Sequence, residues 1–406
     1  MITETLEFEG HIIDSLLLPK VLDSILAQGA DFEIETLNVG KLKEEPSYVR
    51  IKVTAPDQAS MNELLTVLAG QGAHTVSFAD ITLQAAEQDG VFPEDFYSTT
   101  NLSTQVRLHN AWLPVQNLEM DCGIVVDTGA AAAICTPMHR IRKGDQVVVG
   151  HDGIRVTPPE RPDPAQMFEF MGSEISPEKP KDALVNQVAE YFRAARADGK
   201  RIVLTAGPAV VHTGGAPAVA ELINRGYINV LFAGNGLATH DIESSLYGTS
   251  LGVRLADNVR VPGGHRNHLR AINTVRRLGS IKAAVDAGVV TSGIMYSCIK
   301  MNIPFILAAS VRDDGPLPDV MADVLGAIDR LRGEIRDASL VLCLATTIHS
   351  VAIGNILPAS TRMVIIDINP AALTKLSDRG SWQSLGIVAD AGTFVTQLAD
   401  RLRKEP

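Results

Sequence analysis

The chain has 406 residues, long enough for two or three domains with cores of their own, and at 46% hydrophobic and 20% charged it has the balance of an ordinary globular protein. A net charge of −11, with no Lys/Arg block to offset it, excludes a polyanion such as nucleic acid as a partner, and no apolar run approaches the ~20 residues that span a bilayer. The four cysteines, Cys122, Cys135, Cys298 and Cys343, form no CxxC pair and match no zinc spacing, so reduced thiols in a cytoplasmic protein are expected and a metal site is not.

The opening MITETLEFEGHIID has no basic stretch followed by an apolar run, so no signal peptide is expected. Residues 1–90 read as a small α+β unit. Alternation predicts strands over 6–13, 31–39 and 48–53, with a last strand over 74–83. Helices are predicted over 15–28, where Leu16, Leu17, Val21, Leu22, Ile25 and Leu26 share one face before Gly29, and over 61–68, closed by Gly70. The order β-α-β-β-α-β is the ferredoxin-like pattern. Residues 91–158 change character: short runs at 104–108, 123–127, 132–136 and 146–149 are separated by Gly, Pro, Asp and Asn, as in a compact all-β module. The Pro-rich, charged stretch 157–180 reads in part as a linker.

From 181 to 406 strands alternate with helices. Near-continuous apolar runs at 201–205, 228–233, 305–310, 340–345, 363–368 and 385–389 are what strands buried on both faces require. Amphipathic segments at 181–197, 217–225, 268–279, 319–334 and 393–404 supply crossovers, so a doubly wound parallel sheet is predicted.

Ligands of such sheets sit at the carboxyl ends of the strands. Those ends carry Gly234-Asn235-Gly236, Arg312-Asp313-Asp314-Gly315, Ala345-Thr346-Thr347-Ile348-His349, Asp367-Ile368-Asn369-Pro370 and Asp390-Ala391-Gly392. Asp367 is the sharpest. A carboxylate at a strand tip accepts the ribose hydroxyls of an adenosine and repels a 2′-phosphate, which favours NAD over NADP; the competing reading is a turn or capping Asp before Pro370. Thr346, Thr347 and His349 either contact the cofactor or cap a helix. No GxGxxG follows the first strand of this domain, so a dinucleotide must bind in a variant mode. His240 follows Gly236 at a helix start and is a candidate acid/base, against a solvated or capping role. The loop containing Gly263, Gly264, His265, Arg266 and His268 offers a guanidinium for a substrate carboxylate. Asp121 would raise the thiol pKa of its neighbour Cys122, which speaks against a cysteine nucleophile there.

The segments Gly234-Asn235-Gly236 through Glu243, Asp313-Asp314-Gly315 through Asp319, and Asp367 through Pro370, with His11 through Ser15 and Met120 through Ile124, resemble the archaeal-type ornithine cyclodeaminases. These are related to LOR/SDH bifunctional-enzyme domain proteins and to the C-terminal part of cyanobacterial arginine dihydrolase/ornithine cyclodeaminases. The resemblance covers nearly the whole chain and implies an NAD-binding domain like that of deoxyhypusine synthase. It implies bound NAD, with Asn235, Gly236, Asp314, Thr346, Thr347, Ile348, His349, Asp367, Asp390 and Ala391 as contacts. It also implies a redox-neutral conversion of L-ornithine to L-proline and ammonia, the hydride taken from Cα being returned to the cyclic imine. An ammonium must then be deprotonated near neutral pH, for which Asp314, His240 and Asp121 are candidates. The alternatives are a saccharopine-type dehydrogenase or imine reductase that releases NADH, and a non-catalytic NAD-responsive regulator. A homo-oligomer is expected.

Overall fold

The computed structural model describes residues 1–10, 12, 17–40, 45, 47–69, 74–75, 79–157, 181–257, 259–262, 264–313, 315–377 and 384–403. The chain divides into two compact units, 1–171 with 355–360, and 172–354 with 361–406.

In the first unit, strands β1 (Ile2–Gly10), β2 (Asp31–Asn38), β3 (Ser47–Ala55) and β4 (His74–Thr75) form an antiparallel sheet in the order β2-β3-β1-β4. Alternate side chains of β1 and β3, among them Leu6, Phe8, Val49, Ile51 and Val53, are buried with Val21 and Ile25 of helix Leu17–Ala27 and Leu64 and Leu68 of helix Gln58–Ala69. The order and the one-sided core are ferredoxin-like, as the alternation predicts. The predicted strand 74–83 is divided: β4 pairs with β1, whereas β5 (Thr82–Ala85) belongs to a second sheet.

That second sheet adds β6 (Ser103–Leu108), β7 (Ala111–Gln116), β8 (Gly123–Asp127), β9 (Ala132–Thr136), β10 (Gln146–Val149) and β11 (Ile154–Thr157), in the order β11-β6-β7-β9-β8-β10-β5. Only β7 and β9 run parallel. β7 is absent from the sequence reading because Pro114 in its middle argues against a strand with neighbours on both sides. The structure accommodates it: pairing with β9 begins at Val115, past the proline. Cys122 and Cys135 lie in this core, Cys298 lies in that of the second unit and Cys343 is buried on β18; none of the four is in a disulfide. Burial pushes the Cys343 thiol up to about 12.

The second unit is built on seven strands: β12 (Arg201–Ala206), β13 (Val230–Gly234), β16 (Phe305–Ala308), β17 (Val320–Met321), β18 (Ala338–Leu344), β19 (Arg362–Asp367) and β20 (Ser384–Val388); β14 (Thr249–Ser250) and β15 (Val253–Arg254) make a separate small hairpin. Every pair in the large sheet is parallel, and the order is β17-β16-β13-β12-β18-β19-β20. The chain therefore winds outward from β12 through β13 and β16 to β17, returns to lay β18 beside β12, and winds the other way to β20. The reversal between β12 and β18 is a topological switch point, where a parallel sheet opens a crevice at its carboxyl edge.

Candidate functional site

The switch point is marked by a close backbone crossing. Gly207, just after β12, donates its N–H to Leu344 O of β18 at 2.9 Å, and a Cβ added to it would lie 2.1 Å from Ala345 O. Ala345 itself turns at φ 48°, a left-handed conformation that bends the chain off β18 into helix Thr347–Ile356. The N–H groups of this helix's first turn have no intrahelical acceptor and carry the positive end of its dipole.

The helix start is braced from beneath. Thr346 Oγ1 and His349 Nδ1 are 2.9 Å apart, and the His349 ring stands edge-on to Phe232 of β13 with centroids 5.0 Å apart. A Cβ on Gly234 would come within 3.1 Å of the same ring, so glycine there lets His349 bridge the ends of β13 and β18. Burial lowers the His349 pKa, the nearby Asp313 only partly opposing it, which favours the neutral ring. Ile348, in contrast, is 82% exposed.

One strand further out, Asp367 ends β19 beside Ala345, whose N–H donates to Ile366 O. Asp367 Oδ1 accepts the Asn369 N–H at 2.8 Å, closing a turn into helix Pro370–Ser377. Its Oδ2 accepts no hydrogen bond among the described residues. The capping and ribose-binding readings are thus compatible, one oxygen for each. At the end of β20, Asp390 Oδ1 caps helix Ala391–Arg403 through the Thr393 N–H at 2.8 Å, and Ala391 is buried.

On the other side of the switch point, Gly234 caps helix Asn235–Tyr247. The Asn235 side chain is committed to the protein: Oδ1 accepts from Leu317 N (3.1 Å) and Thr239 Oγ1 (3.2 Å), and Nδ2 approaches Asp313 Oδ1 at 3.5 Å. Gly236 has room above it, the nearest atom to an added Cβ being Pro208 Cγ at 3.6 Å. Asp314 lies outside the described residues. Asp121 lies in the first unit, in a turn with φ 61° ahead of β8, its N–H donating to Thr99 O. Arg266 is exposed at the start of helix Asn267–Leu278.

Helix Asn235–Tyr247 also carries a polar cluster: the sequence places His240, Asp241 and Glu243 together at its start and offers His240 as the acid/base. His240 Nδ1 lies 2.8 Å from Glu243 Oε2, one turn on. Glu243 is fully buried and also accepts from Thr249 Oγ1 (2.8 Å) and from the N–H groups of Leu251 and Gly252 (3.3 Å each). Burial alone would raise its pKa, but the hydrogen bonds from His240, Thr249 and Gly252 outweigh it and hold the carboxyl below its usual range. The His240 ring meets His212 edge-on, centroids 4.7 Å apart, and lies 6.0 Å from His268. His212 Nδ1 is anchored on Ser250 Oγ at 2.7 Å; burial, reinforced by His240 and opposed by Glu243, brings its pKa down to about 4. The sequence signal was the i, i+3 spacing of His240 and Glu243; the partners from 212, 249–252 and 267–268 had none. Asp241 points elsewhere: buried, it accepts the N–H groups of Ile294 and Met295 at 2.8 Å each and caps helix Ile294–Lys300. Among the described residues no three His, Cys, Asp or Glu side chains converge as metal ligands.

The family described as arginine dihydrolase ArgZ-like, C-terminal, Rossmann fold, matches residues 186–398; its first C-terminal region matches 103–185, and the LOR/SDH bifunctional enzyme conserved region matches 3–102. The ornithine cyclodeaminase of Methanothermobacter thermautotrophicus is 50% identical over 405 residues, covering 100% of this chain and 98% of its own. That of Methanocaldococcus jannaschii is 49% identical, covering 100% and 97%. The bifunctional arginine dihydrolase/ornithine cyclodeaminase AgrE of Nostoc is 41% identical over 98% of this chain, which spans only 58% of the relative. Among solved structures, apo ArgZ, a cyanobacterial arginine dihydrolase, superimposes with a TM-score of 0.87 at 37% identity, covering 99% of this chain and 58% of ArgZ. The ternary complex of AgrE with ornithine and NAD+ gives a TM-score of 0.55 at 40% identity, with the same two coverages.

Proposed function

The chain belongs to the ornithine cyclodeaminase family that shares the ArgZ-like C-terminal region, and on that premise we propose that it converts L-ornithine to L-proline and ammonia, with NAD as a recycled cofactor. The observation that carries this reading is the switch point, where a helix N-terminus and the open oxygen of Asp367 stand on adjacent strands. That is the arrangement a nucleotide's phosphate and ribose require, and Asp367 lies 20 residues beyond Thr347. It occurs on the second half of the sheet, β18 to β20, which explains why no glycine fingerprint follows β12.

The residues fit a dinucleotide. The first-turn N–H groups of Thr347, Ile348 and His349 would hold the pyrophosphate, Asp367 a ribose, and Asp390 and Ala391 the far end of the same nucleotide. The Asn235-Gly236 backbone and Asp314 would hold the other nucleotide. NAD, when bound, supplies a hydride acceptor and then a hydride donor. The chain's own part is to orient the amino acid and move protons. His240, anchored by Glu243, is the candidate proton carrier; Asp314 and Asp121 are the others the sequence offers. Organisation as 1–90, 91–158 and 181–406, a homo-oligomeric state and a cytoplasmic location belong to the same reading. No helix among the described residues is long and apolar enough to cross a membrane.

The test is turnover. Purified protein given ornithine and substoichiometric NAD should form proline and ammonia in equal amounts without accumulating NADH. Stoichiometric NADH points to a dehydrogenase instead. Tight NAD binding without turnover of any amino acid points to a regulator.

A further inference from the structure

We propose that Glu243 is a positioning residue for the reaction, holding the His240 ring in one tautomer so that Nε2 is the atom that moves the substrate's proton. The inference rests on the cyclodeaminase reading above and assigns the chemistry within it.

The tautomer follows from hydrogen-bond capacity. Glu243 is fully buried and its carboxylate already accepts three other donors, Thr249 Oγ1 and the N–H groups of Leu251 and Gly252. An ionised carboxylate only accepts, so His240 Nδ1, 2.8 Å from Oε2, must carry a hydrogen. In the neutral ring Nε2 is then a bare acceptor, and it makes no hydrogen bond among the described residues. The His240 side chain is 12% exposed, against 0% for Glu243. When Nε2 takes a proton from a substrate ammonium, one N–H bond breaks and another forms. The new positive charge on the imidazole sits against a buried negative one. Return of that proton to the departing ammonia restores the neutral ring, so no net proton is gained or lost by the enzyme.

The titratable groups facing His240 are Glu243 on its own helix, His212 after β12 and His268 on helix Asn267–Leu278. His212 is anchored by Ser250 and stays neutral around neutral pH, so it adds no like charge that would oppose protonation of its neighbour. The support is itself supported, since Asn267 Nδ2 donates to Thr249 Oγ1 at 2.9 Å. A buried carboxylate that accepts four donors, the imidazole among them, is the second partner that a proton-transferring histidine needs.

The experiment is the pH profile of kcat/KM for ornithine in Glu243→Gln, with NAD affinity by calorimetry as the check on folding. Loss of the carboxylate should lower kcat by about 100-fold and move the acid limb about one unit to lower pH, with NAD affinity unchanged. Glu243→Asp should restore the limb's position and part of the rate. A folded, NAD-binding Glu243→Gln enzyme with the wild-type acid limb overturns the proposal. Should that variant lose NAD binding, His240→Ala decides: partial rescue of turnover by added imidazole supports the assignment, and no rescue in an NAD-binding protein overturns it. Wild-type protein that never turns over ornithine removes the functional reading, and this inference with it.

Discussion

A single carboxylate at a strand tip can serve the fold and a ligand at once, and Asp367 is built for both. Oδ1 closes the turn onto Asn369 and Oδ2 is left open, so replacement by Ala should weaken NAD by roughly 1–3 kcal/mol, the range for hydrogen bonds to a charged group, with a smaller loss from the turn. Calorimetry showing unchanged NAD affinity would rule out the ribose assignment. Asp367 was legible in sequence because a polar residue after four apolar ones can only be a strand end. Asn235 was legible as a position but not as a role: its side chain accepts from Thr239 one turn on and from Leu317, 82 residues away. Glu243 was harder still. His240 is joined to it by the i, i+3 spacing, but the donors from the β14–β15 hairpin carry no signal in a linear reading.

At the scale of elements, the strands read well because burial on both faces writes an unbroken apolar run. Helices buried nearly all round read poorly. Helix Asn235–Tyr247 mixes Leu237, Ala238 and Ile242 with buried Thr239, Asp241 and Glu243, so no apolar stripe announces it. Two predictions belong to these joints. Gly207→Ala puts a methyl where Ala345 O now lies and forces β12 and β18 apart at the switch point; it should cost about 1–3 kcal/mol of stability and weaken NAD as well. A variant with wild-type stability in urea and wild-type NAD affinity would show that the crossing is not tight. Asp241 joins helix Asn235–Tyr247 to helix Ile294–Lys300, and burial raises its pKa from 3.8 to about 6, the Met295 and Ile294 N–H groups only partly opposing the shift. The folded state then binds this proton more tightly than the unfolded state. The carboxyl's contribution is greatest below about pH 3.8 and is withdrawn as pH rises through about 6. Relative to wild type, Asp241→Asn should therefore be more stable at pH 6.5 than at pH 4. Chemical denaturation at both values checks this, and a difference independent of pH would contradict it.

For the whole molecule, the ferredoxin-like sheet, the β module and the doubly wound domain were each visible in the rhythm of the sequence. What was not visible was the order of the strands, because parallel pairing is set by contacts far apart along the chain. That order puts the reversal between β12 and β18, and with the nucleotide on β18–β20 as proposed, the absent glycine fingerprint after β12 follows from topology and is not evidence against NAD. On the proposed reading the cofactor is regenerated within one catalytic cycle. The most direct measurement uses ornithine deuterated at Cα with substoichiometric unlabelled NAD and follows the label by mass spectrometry. Internal return of the hydride gives proline that keeps deuterium at Cα through many turnovers, with no deuterated NADH released. Proline that has lost the label, or deuterated NADH appearing in step with ornithine consumption, would contradict it.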